Sequence, residues 1–315
     1  MQTLIHRWRT LCPLMCLLGG YAAADGLEAP DDLSEIVVQT PEPRFVAPTL
    51  RDQIGRIWAP GMINGKGPFR LVLDTGANRS GVTKTVAAVL NIPLDQSPPF
   101  LLHAVTGIAT VPTIHVDSVS VGDLWLRSET LAILTDPLGG ASGVLGTEGF
   151  ADKRIVIDFA RDRIRISRSH GERARLDFET VPFDRSETGL LMVRASVGGV
   201  RVHAIIDTGG QRTLANLAMR DALVRRHAKG KPDEIMDVTT KSQAGETFPS
   251  PPLQLGSIEI RGTRITYSDM SIFEHWHLQK EPALLIGMDV IGLLDTFIID
   301  YRRRELQLRM RPNQL

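Results

Sequence analysis

Cysteine is all but missing from this chain. Only Cys12 and Cys16 occur in 315 residues, both close to the N-terminus. They fall in a segment that reads as a secretory signal, residues 1–24. Arg7 and Arg9 precede the apolar stretch TLCPLMCLLGG, and YAAAD then offers Ala22 and Ala24 for cleavage before Asp25. A mature chain cut there has no thiol, which excludes both a disulfide framework and a thiolate metal site. Long hydrophobic runs are absent as well. The apolar part of the signal is too short and too interrupted to span a bilayer, so a mature protein without a membrane span, most simply periplasmic, is expected. Aromatic residues make up only 5%, which leaves Val, Ile and Leu to build the core. An excess of one charge is also lacking. The formal net charge is +0, and removal of the signal leaves 34 basic against 36 acidic residues. That balance carries no footprint of a nucleic-acid partner.

What is present is a hydrophobic fraction of 43%, enough for a globular core. Residues 25–53 are rich in proline and acids and read as a leader or linker. The remainder looks like one plan used twice, as a first lobe over 54–168 and a second over 188–311, joined by a polar linker over 169–187. In the first, a strand-like run reaches the turn signal Asn64-Gly65 and a second apolar run ends in VLDTGANRS. In the second, the turn signal is Gly198-Gly199 and the run ends in IIDTGGQRT. A short helical stretch follows each, with Thr83 and Asn216 as N-cap candidates. Both halves then close alike, on SGVLGTEGFADKRIVIDF and ALLIGMDVIGLLDTFIIDY. Many short alternating segments and few helical periods predict a mostly β protein.

A single Asp-Thr-Gly could be an ordinary turn, its Asp accepting backbone N–H groups and its Gly supplying a positive φ. Two copies in matched settings, 133 residues apart, point instead to a pair of carboxyls. If the lobes face each other, Asp74 and Asp207 meet, and two close carboxylates that cannot both ionise cheaply share a proton. Such a pair activates water without a metal or cofactor, as the carboxyl dyad of aspartic proteases does.

VLDTGANRS and IIDTGGQRT, with VLG at 144–146 and LIG at 285–287, resemble the signatures of the retropepsin-like and pepsin-like aspartic peptidases. The resemblance covers about residues 55 to 310 and is to the secreted bacterial two-lobe type. It implies a bilobal acid-protease fold of two β-barrel lobes about a pseudo-twofold axis, working as a monomer on a peptide or protein substrate. It implies Asp74 and Asp207 as the catalytic pair, Thr75 and Thr208 as cross-linking hydroxyls, and Gly76 and Gly209 as points of close backbone approach. Covering hairpins are expected with tips at Gly107 and Gly245. Gly210 departs from the Ala or Ser usual there, where the first copy keeps Ala77; added mobility of the second turn is the expected effect.

Three other readings fit parts of the pattern. Actin-like ATPases place Asp-x-Gly in two related lobes, but the export signal and the scarcity of helices argue against them. A non-catalytic binder of peptides or envelope ligands would keep the same fold. Pairing of two first halves from separate chains is unnecessary when one chain holds both motifs. His275 and His277 in EHWHLQ would share one side of a strand, as zinc ligands could, but no third ligand accompanies them, and a groove-lining role is expected.

Overall fold

The computed structural model describes residues 55, 57–94, 97–135, 139–186, 189–224, 229–239 and 241–311. The signal over 1–24 and the leader over 25–53 lie outside the described residues. Strand accounts for 52% and helix for 9%, which makes the protein mostly β. Among the described residues no helix is long and apolar enough to cross a membrane.

The first half runs through β1 (Trp58–Ile63), β2 (Lys66–Leu73), β3 (Gly81–Thr83), α1 (Lys84–Leu90), β4 (Phe100–Ala104), β5 (Gly107–Val111), β6 (Thr113–Val121), β7 (Leu124–Leu134) and β8 (Gly143–Leu145). Asn64 and Gly65 turn β1 into β2 with φ of 49° and 70°, the left-handed pair that a two-residue hairpin needs. Thr83 caps α1 through its side chain, which accepts from the Val86 N–H. Strands β1, β2, β8, β3, β7 and β6 close into a barrel, and β4 pairs only with β5 as a separate hairpin.

Three strands follow: β9 (Lys153–Asp158), β10 (Arg163–Arg168) and β11 (Glu179–Arg185). The second half continues with β12 (Leu191–Val197), β13 (Val200–Ile206), β14 (Leu214–Ala215), α2 (Leu217–Leu223), β15 (Lys231–Met236), β16 (Ser242–Pro249), β17 (Leu253–Leu255), β18 (Ile258–Ile260) and β19 (Arg264–Tyr267). It ends with α3 (Ser271–His275), β20 (Ala283–Ile286), α4 (Met288–Ile291), β21 (Leu294–Asp300) and β22 (Glu305–Met310). Gly198 and Gly199 supply the positive-φ turn here, and Asn216 caps α2 by accepting from the Met219 N–H.

The repeat is visible in the ladders. In the first half β2 runs parallel to β8, β8 antiparallel to β3, and β3 parallel to β7. In the second, β13, β20, β14 and β19 repeat the same senses in the same order. The second set belongs to a 14-stranded sheet rather than to a separate barrel.

Division at 168 and 187 does not describe how the halves join. Strands β9 and β10, which end the first half in sequence, pair onto β21 near the end of the second, with Ile157 opposite Phe297 and Arg154 opposite Asp300. The linker itself contributes β11, which bridges β22 to β12. The pairing sets Ile155 opposite Ile299 and Ile157 opposite Phe297, so IVIDF and FIIDY present one continuous buried apolar face. One apolar cluster consequently runs from Leu71 and Leu145 through Ile155 and Phe297 to Ile206 and Leu284. Asp300, fully buried, is met by the Arg154 guanidinium at 2.9 Å and the Ser169 hydroxyl at 2.8 Å. A buried charge is tolerable only with such partners.

Candidate active site

Each Asp-Thr-Gly sits where a hairpin strand runs out beside the parallel strand of its own half. The Asp74 N–H donates to Leu145 O at 3.0 Å and the Asp207 N–H to Ile286 O at 2.9 Å. The apolar-apolar-Gly segments are thus the strands on which the two turns rest.

The turns meet through their threonines. Thr75 Oγ1 donates to Ile206 O at 2.6 Å and accepts from the Thr208 N–H at 3.1 Å. Thr208 Oγ1 donates to Leu73 O at 2.7 Å and accepts from the Thr75 N–H at 3.1 Å. Both threonines are fully buried, so each of these four bonds satisfies a backbone group that water cannot reach.

This exchange brings the carboxyls together. A Cβ on Gly76 would lie 2.7 Å from Asp207 Oδ1, and one on Gly209 would lie 2.3 Å from Asp74 Cγ. Each glycine therefore leaves room for the carboxyl of the opposite half. The Gly76 N–H donates to Asp74 Oδ1 at 2.8 Å, and the Gly209 and Gly210 N–H groups both donate to Asp207 Oδ1 at 2.9 Å. Burial raises Asp74 well above the ordinary carboxylate value; the Asp207 charge and a hydrogen bond between the two side chains raise it further, against the N–H groups of Gly76 and Ala77. Chemically this is a pair of carboxyls in contact, each accepting backbone N–H bonds from its own turn, with Asp74 shifted toward its acid form.

Gly210 has a steric reason. A Cβ there would fall 2.5 Å from Asp207 Oδ2, whereas Ala77 packs against the apolar cluster of Val111, Ala132, Leu134 and Val144. The substitution reports close approach of the Asp207 carboxyl.

A second pair of acids stands behind the first. Glu148 Oε1 accepts from the Ser80 N–H at 2.6 Å, and Asp289 takes both the N–H and the hydroxyl of Thr213 at 3.0 and 2.7 Å. Burial pushes both carboxyls up. Among the described residues Glu148 Oε2 has no hydrogen-bond partner, although it is buried. Neither residue stands out in the sequence, although a signal is there: each half carries an acid two places after its closing glycine, in GTE and in GMD.

A roof covers the pair. The β4–β5 hairpin turns at Val105 and Thr106, so Gly107 follows the tip as the first residue of β5. Gly245 is not a tip at all. It lies inside β16 opposite Asp233, and its hairpin turns between Met236 and Ser242. The two tips are tied together. Asp237 Oδ2 accepts from the Thr106 N–H at 2.8 Å and hydroxyl at 2.6 Å, its Oδ1 accepts from the N–H and hydroxyl of Thr239, and Lys241 Nζ donates to Ile108 O. Beneath lies a cleft of about 190 Å³, with Asp74 and Asp207 on its floor and apolar walls from Leu102, Val144, Ile272 and Leu285.

Two family models match the chain. The gag-polyprotein putative aspartyl protease model covers residues 59–151, and the Aspartyl protease model covers residues 193–290. The chain belongs to the retropepsin-like aspartic peptidases. No curated protein matches it. Both matches contain one Asp-Thr-Gly and one apolar-apolar-Gly segment, so a single retropepsin-like chain holds two aspartyl protease domains in tandem.

The EHWH segment of this retropepsin-like chain is not a strand. Ser271–His275 forms α3 and His277 is left-handed at φ 59°, so the spacing argument for a metal does not apply. His275 instead stacks on His103 of β4 with ring centroids 3.9 Å apart and lines the cleft. Desolvation, and then the charges of His103 and His277, hold its pKa below the usual imidazole value.

Two stability outcomes follow from this geometry. Thr75→Val keeps the shape but orphans Ile206 O and the Thr208 N–H, and should cost about 2 to 4 kcal/mol in urea unfolding; a change within about 0.5 kcal/mol, the range of ordinary surface substitutions, would show that the cross-link carries no load. Glu148 has a raised folded pKa, so its stabilising contribution is complete below the ordinary carboxylate range and is lost as pH rises through the raised value. Glu148→Gln should therefore gain on the wild type as pH rises above the ordinary carboxylate value near about 4. Parallel stability curves for the two would contradict it.

Proposed function

We propose that this protein is an aspartic endopeptidase in which Asp74 and Asp207 share one proton and activate water against a peptide bond. The observation that carries the reading is the contact of the two carboxyls across the seam, where burial and Asp207 raise the Asp74 pKa well above the ordinary carboxylate value. The ionised Asp207 takes a proton from water as its oxygen attacks the carbonyl carbon, and Asp74 gives its proton to the carbonyl oxygen. Collapse of the resulting diol breaks the C–N bond. The amine leaves with the proton that Asp207 received, and a diol hydroxyl returns one to Asp74. The pair ends as it began, with one proton.

Several features support this assignment over a bare turn or a passive binding cleft. One chain supplies both carboxyls, which supports action as a monomer. The two N–H groups on Asp207 Oδ1 favour its charged form, while at Asp74 burial and the Asp207 charge outweigh the N–H groups of Gly76 and Ala77. The largely apolar cleft of about 190 Å³ beside the pair suits the side chains of a peptide.

Asp74→Asn and Asp207→Asn should each lower kcat on a peptide library by about 10³-fold or more while leaving the fold intact. The sign of the pH profile follows from Asp74. Activity needs one proton on the pair, so a raised Asp74 value moves the alkaline limb above the ordinary carboxylate range near about 4. Undiminished cleavage by either variant, or an alkaline limb at that ordinary value, would overturn the assignment.

A further inference from the structure

The two active-site turns carry an arginine at the same place, Arg79 in DTGANRS and Arg212 in DTGGQRT. Their surroundings differ. Arg212 is ion-paired to Asp233 of β15, whose carboxylate also accepts from Thr247 at 2.8 Å and Thr266 at 3.2 Å. That arginine is neutralised within its own half. The strand that reaches Arg79 offers Phe100 instead, with the guanidinium carbon 5.6 Å from the ring centroid. Among the described residues Arg79 has no carboxylate partner. It is exposed and lines the cleft that holds Asp74 and Asp207, whereas Arg212 does not.

The other charges of the cleft are accounted for. Asp74 and Asp207 are engaged with each other, and Asp237 already accepts four hydrogen bonds from Thr106 and Thr239. The remaining titratable groups on the lining are His103 and His275, which stack on each other. Arg79 is thus the one permanent cation on the described lining of the cleft, with its face steadied by Phe100 and its N–H edges free.

We infer that Arg79 is a specificity-determining residue that binds a carboxylate of the substrate, so that the cleft selects peptides carrying an acidic group to the Arg79 side of the bond cut. The inference rests on the peptidase reading and gives that site a preference its floor and walls do not have. A planar guanidinium with free N–H groups meets a carboxylate with two parallel bonds, a geometry that neither a lysine nor a neutral side chain satisfies equally. The carboxylate could come from an Asp or Glu side chain or from the C-terminus of the peptide.

The test compares wild type, Arg79→Ala and Arg79→Glu on peptides that place Glu, Gln or Lys at each position flanking the cleaved bond. One set is C-terminally amidated and the other is the free acid. Wild type should favour Glu over Gln, or the free acid over the amide, by about two- to fivefold in kcat/KM at one position, the size expected for an exposed ion pair. Arg79→Ala should erase that preference, and Arg79→Glu should turn it toward Lys. A gain in the amidated set assigns a side chain; a gain only in the free acids assigns the chain terminus. A preference that survives both substitutions, or no preference at all, overturns the inference. Should no peptide be cleaved, the same comparison is made by binding of hydroxyethylene-isostere peptides with Glu, Gln or Lys. Charge discrimination that reverses in Arg79→Glu then upholds the role of Arg79 while the peptidase reading falls. Equal binding, or none, overturns both.

Discussion

Two carboxyls that repel when both are ionised are pressed together at the seam between the halves, and the surrounding structure exists to hold them there. At close range and away from water, a second negative charge is costly, which is why Asp74 is driven toward its acid form. Separation of the halves would relieve that cost. What opposes separation is the reciprocal bonding of Thr75 and Thr208, each reaching into the backbone of the other turn. Below it, β9 and β21 fuse the ends of both halves into one sheet, and a single apolar core runs through it. The site is therefore not carried by either lobe. It is a property of the joint.

The residues closest to the chemistry are the most legible in the sequence. Asp74 and Asp207 announce themselves because an acid followed by Thr and Gly at the end of an apolar run is unusual, and doubly so when repeated. Turn residues and caps are equally plain, since Asn64-Gly65, Thr83 and Asn216 act within a few residues of themselves. Contacts made over long separations are not. The pairing of IVIDF with FIIDY looks, in sequence, like two separate lobe endings, because alternation tells which face is apolar and not which strand will lie beside it. Gly245 suggests a turn because glycine marks turns. The actual turn uses Asp237 and Thr239, whose side chains replace the missing conformational freedom with local hydrogen bonds. The meaning of Gly210 is also hidden: it depends on where the Asp207 carboxyl lies, a tertiary fact.

The repeat is faithful in its backbone and unequal in its side chains. Both halves use the same ladder senses and both place a buried acid behind the turn, Glu148 and Asp289. They differ at the positions that face the cleft. Ala77 answers to Gly210 and Phe100 to Asp233, so that one wall is more apolar and retains a free cation while the other is neutralised. The roof is unequal as well, for one hairpin offers Thr106 as a double donor and the other answers with the Asp237 carboxylate and the Lys241 ammonium. A substrate entering such a cleft meets two distinct sides, as a peptide with direction requires.

The most direct measurement is a carbon NMR titration of the Asp74 and Asp207 carboxyls, each assigned by its Asn variant. A shared proton predicts that one proton stays on the pair well above the ordinary carboxylate range, and that each signal responds to the loss of the other residue. Two independent titrations near about 4, each unmoved by removal of its neighbour, would contradict it.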